Sequence, residues 1–272
     1  MGSFISCASA DGKAVLYVIP FSHYCDLARW ALTLAGVPFE ERPYLPGVHM
    51  LFSPISKIRK RSGHPISGSS ARLDSLPMLV SSDGNVVGDD SWQCLERLGQ
   101  VPPRLKELLE TVIGPCTRTI VYSYLLTSIG EDAFLTLMQA GGTPWWQRAL
   151  MRLAGFRNIV RGKMVDTMVK NPDHVNDCRD KLRAAVVELE TMLNTEVFHI
   201  DGKPTASAIA VASLLAPACF PPEYCQAFYG KWPLPFEDLP APLREEVTQW
   251  RNTQAGKWVL EFYAKHGLPP KR

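Results

Sequence analysis

The pattern of apolar and polar positions predicts a strand, a helix and a second strand in the first part of the chain. Residues 14–19 (AVLYVI) form a short, continuous apolar run, which is typical of a buried strand. In residues 23–35, apolar side chains recur every three or four positions, and a glycine and a proline follow, as at a helix end. Residues 38–44 (PFEERPY) predict another strand. Because a helix connects the two predicted strands, we expect them to be parallel, with a right-handed crossover.

The pattern changes after residue 45. Residues 46–75 mix prolines, glycines and basic side chains, so we expect a long, mobile loop with about one helical turn. The basic cluster of this segment consists of Lys57, Arg59, Lys60 and Arg61. We expect these side chains to be solvated rather than bound to the carboxylates of a ligand.

A hairpin and a short helix are predicted next. In residues 76–87 (LPMLVSSDGNVV), two apolar runs flank a Ser-Asp-Gly-Asn turn, which indicates a β-hairpin. Residues 89–99 (DDSWQCLERLG) predict a helix, because they begin with acids and end at a glycine, which are typical of the two ends of a helix.

The rest of the chain is helical in character and follows a proline-containing linker, residues 100–104 (QVPPR). We therefore predict a tail at 1–13, an α/β domain over 14–99 and an all-α domain over 105–272. The predicted helices of the second domain cover about 104–128, 131–140, 144–169, 173–194, 205–216 and 240–265.

Charge and cysteine content restrict the classes of function. The chain has 29 Lys and Arg against 27 Asp and Glu, a formal charge of +2, so no nucleic-acid partner is indicated. Its seven cysteines are scattered without a C-x-x-C pair, which predicts neither a zinc site nor any other metal and favours a reducing compartment. No apolar run approaches the roughly 18–20 residues of a membrane span, and no secretory signal is evident. We expect a cytoplasmic protein.

One lipidation pattern stands at the N-terminus. The first six residues, MGSFIS, fit the M-G-x-x-x-[ST] pattern for myristoylation of Gly2, and Cys7 follows where a second acyl group can attach. A single myristoyl chain binds a membrane only marginally, so peripheral membrane association requires acylation of Cys7 as well. The pattern is permissive, and an unmodified tail is the alternative.

Four segments in order resemble the glutathione transferase family. They are FSHYCDLARWAL at 21–32, SLPMLV at 75–80, DGNVVGDDSWQCLERL at 83–98 and LETMLNTEVFHIDGKPTASAIAVASLL at 189–215. Each segment by itself is a weak signal, but all four occur in the order found in the family, and together they span nearly the whole chain. The resemblance implies the glutathione transferase fold, in which a thioredoxin-like α/β domain precedes an all-α domain.

Ser22 is the candidate catalytic residue. It lies where the first strand gives way to the helix, and the unpaired N–H groups of a helix start favour an anion. By resemblance to serine-type glutathione transferases, Ser22 donates to the sulfur of bound glutathione and stabilises the thiolate. The alternative is that Ser22 only caps the helix.

Two neighbours of Ser22 are candidate glutathione contacts. Cys25 stands where thioredoxin-like proteins place the second cysteine of C-x-x-C, and the serine at the first position excludes a dithiol mechanism. As a nucleophile Cys25 ranks second, because an inward-facing thiol behaves as a small hydrophobe. His23 replaces a proline of many relatives and either reaches the ligand or is exposed and solvated. Tyr17 and Tyr24 are expected to pack, with Tyr17 a remote alternative to the serine hydroxyl.

The resemblance assigns two further segments to glutathione. The bond between Leu76 and Pro77 is expected to be cis, which lets the backbone of Leu76 pair with the cysteinyl part of the ligand. Asp90 and Ser91 start the next predicted helix, and the resemblance has them bind the γ-glutamyl group. An acid and a serine are also ordinary capping residues.

The helical domain carries one structural motif and several unassigned aromatic residues. Thr205 is expected to cap the helix that follows it. Ala208 replaces the aspartate that completes a capping box in relatives, and we expect the missing side-chain hydrogen bond to lower the local stability by about 1 kcal/mol. Four aromatic residues could line a substrate pocket or pack in the core, and we assign them to neither: Tyr122, Tyr124, Trp145 and Trp146.

The resemblance implies a detoxification enzyme that conjugates glutathione to small hydrophobic electrophiles or reduces a small peroxide. A protein that uses the same scaffold only to bind a hydrophobic ligand or a protein partner is the alternative, since a fold does not fix a function. A glutaredoxin-like activity through Cys25 is a third hypothesis. Dimers are common in this family, so the resemblance allows a homodimer.

Overall fold

The computed structural model divides the chain into two compact units, Met1–Gly99 and Gln100–Arg272. The structure describes residues 12–63, 74–127, 130–140, 142–229 and 233–267. The acylation pattern at Gly2 and Cys7 lies outside the described residues.

The first unit begins with the predicted strand, helix and strand. Strand β1 (Ala14–Val18) is followed by helix α1 (His23–Leu34) and strand β2 (Phe39–Pro43). The two strands are parallel, with Leu16 opposite Glu41. The prediction of a parallel pair joined by a helix is confirmed.

The predicted hairpin completes the sheet. Strands β3 (Met78–Val80) and β4 (Val86–Gly88) are antiparallel, and helix α4 (Ser91–Leu95) follows. The sheet order is β2-β1-β3-β4, and β3 also runs antiparallel to β1. The carboxyl ends of β1 and β4 and the amino end of β3 therefore lie at the same end of the sheet.

Alternation along the strands gives the sheet two buried faces. On one face, Leu16, Val18 and Leu79 pack with Cys25, Ala28 and Leu32 of α1 and with Cys94 of α4. On the other, Val15, Tyr17, Met78, Val80 and Val86 pack with Ile55 and Ile58. Both faces are covered, so the strands are apolar on both sides.

The prediction of a long loop over residues 46–75 is wrong for its described part. This part contains two short helices, α2 (Val48–Phe52) and α3 (Ile55–Ser62). Helix α3 forms because Ile55 and Ile58, three positions apart, share one face that the sheet covers. Two apolar residues within a basic run are a weak periodic signal, and residues 64–73 of this segment lie outside the described part.

The second unit is mostly helical, as predicted. Its first continuous helical stretch consists of α5 (Pro103–Leu108), a π-helical turn (Leu109–Ile113) and α6 (Gly114–Leu125). The others are α7 (Glu131–Gln139), α8 (Trp145–Arg152), α9 (Ala154–Met164) with a π-helical turn (Val165–Val169), α10 (Pro172–Leu193), α11 (Ala206–Cys219), α12 (Gln226–Tyr229), α13 (Ala241–Arg251) and α14 (Gln254–His266).

The second unit differs from the sequence prediction in several details. The single helix expected over 144–169 is divided at Leu153 into α8 and α9. The single helix expected over 240–265 is two helices, and Thr253 caps the second by accepting from the Gly256 N–H at 2.9 Å. A small hairpin formed by β5 (His199–Ile200) and β6 (Lys203–Pro204) was not predicted, because each strand has only two residues.

Helix α11 is the centre of the second unit. All of its residues are buried, which is expected for a helix that is apolar on every side. Thr205 caps it as predicted, because its hydroxyl accepts from the Ala208 N–H. The backbone N–H of Thr205, which a capping-box acid would satisfy, already donates to the Phe198 carbonyl at 3.1 Å. The expected penalty for lacking an acid at position 208 is therefore wrong.

Among the residues that the structure describes, none of the helices combines the length and the apolar character that a membrane span requires.

An aspartate introduced at position 208 should destabilise the second unit. Ala208 is fully buried and the Thr205 N–H has a partner, so Ala208→Asp would bury a carboxylate whose capping function is already filled. We expect a loss of about 1–3 kcal/mol in the free energy of unfolding, measured by urea denaturation. Thr205→Ala, which removes the observed cap, should cost about 1 kcal/mol. A gain in stability with Ala208→Asp would contradict this account.

Candidate functional site

The sheet brings the predicted site segments to one end. Ser22 follows β1, Leu76 and Pro77 precede β3, and Asp90 and Ser91 follow β4. The register pairs Tyr17 of β1 with Met78 of β3, so the chain leaving β1 passes beside the chain entering β3. The five residues therefore converge on one end of the sheet from three separate stretches of sequence.

Ser22 occupies the N-cap position of α1 but does not cap it with its side chain. Its backbone is extended, with φ −79° and ψ 126°, and its carbonyl accepts from the Asp26 N–H at 2.9 Å. The half-buried hydroxyl makes no capping hydrogen bond. It is one of the groups that lower the pKa of the Cys25 thiol. The interpretation of Ser22 as a simple side-chain cap is not supported, because its side chain accepts from none of the N–H groups of the helix.

Cys25 is a core residue in this structure. Its side chain is fully buried and its Sγ accepts from the Ile19 N–H at 3.3 Å. Burial raises the pKa of the Cys25 thiol to about 11, although Arg29, the Ile19 N–H and Ser22 partly offset this effect. A thiol with this pKa is protonated at neutral pH and is a poor nucleophile. Its buried side chain offers no surface to a ligand, so its expected contact with glutathione stays a prediction.

His23 is buried rather than solvated. It is the first residue of α1, only 4% of its surface is exposed, and its ring lies 4.2 Å from that of Tyr24. The expectation of an exposed loop histidine is wrong, because the side chain of His23 is packed in the first turn of α1, with its ring against Tyr24. Tyr17 is fully buried and stacks on Tyr44, as expected of a packing residue.

The remaining predicted residues occupy the other two segments. The Leu76–Pro77 peptide bond is cis, as expected. Asp90 is the N-cap of α4 and accepts from the Gln93 N–H at 2.8 Å, while the Gln93 side chain accepts from the Asp89 N–H. Ser91 is the first residue of α4 and is buried. The capping interpretation of Asp90 is thus confirmed, and it leaves a role in ligand binding open.

Arg59 connects two of these segments and was missed by the sequence analysis. Its side chain is 1% exposed, and its Nε donates to Oδ1 of Asp89, which is buried to the same degree. Its Nη2 donates to the Asp89 carbonyl and its Nη1 to the Ser75 carbonyl, each at 2.8 Å. Ser75 immediately precedes Leu76, and Asp89 immediately precedes Asp90. One guanidinium therefore fixes the spacing between the chain that enters β3 and the chain that leaves β4.

The prediction that the whole basic cluster is solvated is wrong for Arg59 alone. Lys57, Lys60 and Arg61 are exposed, as expected. Arg59 follows Ile58 and points to the buried side of α3, where its planar group can bind one carboxylate and two carbonyls at once. The sequence offered one usable signal: Asp89 beside Asp90 is one acid more than a helix cap needs.

The unassigned aromatic residues of the second unit have different environments. The Tyr124 hydroxyl donates to Glu246 Oε2 at 2.9 Å and accepts from Arg179 Nη2 at 3.0 Å, so it belongs to a polar network among helices. Trp145 is 75% exposed and is not a core residue. Neither arrangement identifies a substrate pocket.

Loss of the Arg59 guanidinium should destabilise the first unit selectively. Arg59→Met leaves the buried Asp89 carboxylate without this cation, so we expect the free energy of unfolding to fall by about 3–5 kcal/mol. Lys60→Met is the matched control, because Lys60 is exposed on the same helix and should change stability by about 0.5 kcal/mol or less. Urea denaturation followed by circular dichroism measures the stability of both variants. Equal stabilities of the two variants would refute the role of Arg59.

Comparison with known proteins agrees with this architecture. Residues 16–65 match the family described as glutathione S-transferase, N-terminal domain. No curated protein sequence matches the chain at a significant level.

Solved structures give a likeness over nearly the whole chain. A glutathione transferase from Phanerochaete chrysosporium is 15% identical, with 95% of this chain and 99% of that chain covered and a TM-score of 0.52. A glutathione S-transferase from Ceriporiopsis subvermispora, solved in complex with glutathione, is 15% identical, with 96% and 100% covered and a TM-score of 0.49. The chain is therefore a divergent protein with the glutathione transferase fold, and its first unit contains a glutathione S-transferase N-terminal domain.

Proposed function

We propose that this protein binds glutathione at the sheet end formed by Ser22, Leu76–Pro77 and Asp90–Ser91 and uses it as a co-substrate. The observation that carries this proposal is the Ser22 hydroxyl, which lies at the start of a twelve-residue helix, caps none of its backbone N–H groups and is close enough to the Cys25 thiol to lower the pKa of that thiol. The family match over residues 16–65 includes Ser22 and supports the same assignment.

The proposed role of Ser22 is to stabilise a thiolate. The thiol of a free cysteine has a pKa of about 8.5, so only a few per cent is ionised at neutral pH. A thiolate at the start of α1 gains from the positive end of the helix dipole. A hydrogen bond from the Ser22 hydroxyl adds to this, because it stabilises the charged form. The serine side chain can turn from Cys25 to the ligand by a change of one staggered rotamer.

The thiolate then reacts with an electrophile. With a hydrophobic electrophile, the sulfur forms a bond to carbon while the leaving group departs with its electron pair. With a small peroxide, the sulfur attacks one oxygen, the O–O bond breaks and an alcohol leaves. A second glutathione then attacks the oxidised sulfur, which gives glutathione disulfide and water. Both reactions need the same activated thiolate.

The other segments would hold the rest of the tripeptide. The backbone of Leu76 is free of the sheet, since β3 starts at Met78, and it is proposed to pair with the cysteinyl part. The hydroxyl and N–H of Ser91 suit the carboxylate of the γ-glutamyl group, and the Asp90 carboxylate suits its ammonium group. Arg59 fixes the position of both segments through its hydrogen bonds to the carbonyls of Ser75 and Asp89. We assign the buried side chains of His23 and Cys25 to the packing of α1 next to Ser22.

A binding protein without chemistry is the second candidate. It is favoured by the effect of the Ser22 hydroxyl on the Cys25 thiol, since a hydroxyl that interacts with an internal sulfur would not activate a ligand. Cytoplasmic localisation, acylation at Gly2 and Cys7, a homodimer and the domain limits given from the sequence stay predictions. The intact mass of the protein from its native cell tests the acylation.

Ser22→Ala should abolish most of the transferase activity without loss of binding. Removal of one preorganised hydrogen-bond donor to a catalytic anion, here the Ser22 hydroxyl to the thiolate, typically lowers the rate by about 10²–10³-fold. We expect kcat/KM with a chromogenic electrophile to fall by this factor, while retention on immobilised glutathione changes little. Retention without turnover in the wild type would favour the binding protein. Failure of the wild type to bind glutathione at millimolar concentration would exclude the transferase and leave a protein that binds a hydrophobic ligand or a protein partner.

Cys25→Ala distinguishes a transferase from a glutaredoxin-like enzyme. In the transferase, the substitution removes a competing partner of Ser22, so activity should stay within about threefold of the wild type or rise. A glutaredoxin-like mechanism predicts loss of disulfide reduction with Cys25→Ala and indifference to Ser22→Ala. Circular dichroism checks that both variants keep the fold.

The pH profile should report the thiolate of bound glutathione. The thiolate is the reactive form, so kcat should rise with pH through the pKa of the bound thiol and then level off, with the inflection below about 8.5. In Ser22→Ala the inflection should move to higher pH, since the neutral thiol is no longer disfavoured. Cys25, with a pKa of about 11, does not titrate in this range. Superimposable profiles for the two proteins would contradict the role of Ser22.

A further inference from the structure

Two histidines that are distant in the sequence meet in the second unit. His199 lies in β5 and His266 is the last residue of α14, 67 positions later. Their Nε2 atoms are 3.0 Å apart, and the ring centroids are separated by 5.0 Å at an interplanar angle of 36°. No sequence motif joins residues at this spacing, so the pair becomes visible only in the folded chain.

Aromatic side chains hold both imidazoles in place. The ring of Phe262 lies 5.9 Å from His199 and 4.9 Å from His266. Phe262 is itself buried and stacks on Trp258 with a centroid distance of 5.0 Å. Because both histidines pack against one fixed ring, the two Nε2 atoms are kept together in advance of any ligand.

We propose that His199 and His266 jointly bind a divalent transition-metal ion through their Nε2 atoms. Bonds from zinc to imidazole nitrogen are about 2.0–2.1 Å, so two nitrogens in adjacent coordination positions lie roughly 2.9–3.4 Å apart. The observed separation of 3.0 Å falls within this interval. Imidazole is a good ligand for zinc, copper and nickel, whereas magnesium and calcium prefer oxygen.

The site would be open, with two protein ligands. Within the described ranges, no group of three or more histidine, cysteine or acidic side chains is arranged to hold a metal. Water molecules would therefore complete the coordination. In the absence of a metal, one Nε2–H donates to the other Nε2 at the same distance. The experiment must separate a metal site from this neutral hydrogen-bonded pair.

A metal at this position would join two parts of the second unit. The β5–β6 hairpin leads directly into the cap of the buried helix α11, and α14 packs against α11. A ligand that binds only when both histidines are in place stabilises the folded chain by mass action. The proposed ion is thus a structural or regulatory ligand of the helical unit, independent of the glutathione site.

The test is titration of the full-length, tag-free protein with Ni²⁺ and Zn²⁺, with Mg²⁺ as the control ion. Calorimetry gives the affinity and thermal unfolding gives the effect on Tm. At a metal concentration about 100 times Kd, we expect Tm to rise by about 5–10 °C and to return when EDTA is added. Mg²⁺ should have no effect.

Three variants locate the site. His199→Gln and the double variant His199→Gln/His266→Gln should weaken Ni²⁺ binding by at least about tenfold and abolish most of the Tm rise. His49→Gln is the matched control, because His49 lies on α2 in the first unit with its Nδ1 at the Leu45 carbonyl, and should leave the metal response unchanged. Each metal-induced shift is compared with the same variant without metal, so a loss of intrinsic stability does not affect the result.

Two outcomes would overturn the proposal. Absence of any response of the wild type to Ni²⁺ and Zn²⁺ at 100-fold excess over protein would leave only the hydrogen-bonded pair. A response that persists in the double variant would place metal binding at other side chains, such as the cysteines.

Discussion

The Arg59 guanidinium holds together the two chain segments on which the proposed site depends. It donates to the carbonyl that precedes Leu76 and to both the side chain and the carbonyl of Asp89, which precedes Asp90. A buried cation is costly unless its donors are used, and here three donors meet oxygen atoms with little exposure to water. The same residue lies on α3, which rests against the sheet through Ile55 and Ile58. The packing of one short helix therefore determines the positions of two segments of the proposed site.

The chemistry proposed for Ser22 follows from a related constraint. The carboxyl end of β1 and the start of α1 bring the serine hydroxyl to the end of the sheet, while Cys25 one turn later is taken into the core. Burial raises the pKa of the cysteine thiol, so the internal sulfur is inert while the half-exposed hydroxyl can serve an external one. Two residues three positions apart thus have different environments, because Cys25 is buried in the core and Ser22 is half-exposed at the end of the sheet.

Much of this could be predicted from the sequence, and the failures have physical causes. Continuous apolar runs and turn residues were sufficient for β1, α1, the hairpin and most helices, because these signals are local. Helix α3 and Arg59 were missed because the partners of Arg59 lie 16 and 30 positions away and its neighbours in sequence are solvated lysines and arginines. His23 was misplaced although the helix start was predicted correctly, because the burial of its side chain depends on tertiary packing that the local pattern does not report. The pairing of His199 with His266 and the hydrogen bond that replaces the capping acid at Ala208 also depend on tertiary contacts.

The most direct measurement of the central claim is a crystal structure of the protein soaked with glutathione. The account predicts that the sulfur lies within hydrogen-bond distance of the Ser22 hydroxyl, that the cysteinyl backbone pairs with Leu76, and that the γ-glutamyl group contacts Asp90 and Ser91. An empty sheet end at millimolar glutathione, or a sulfur that points away from Ser22, would contradict it.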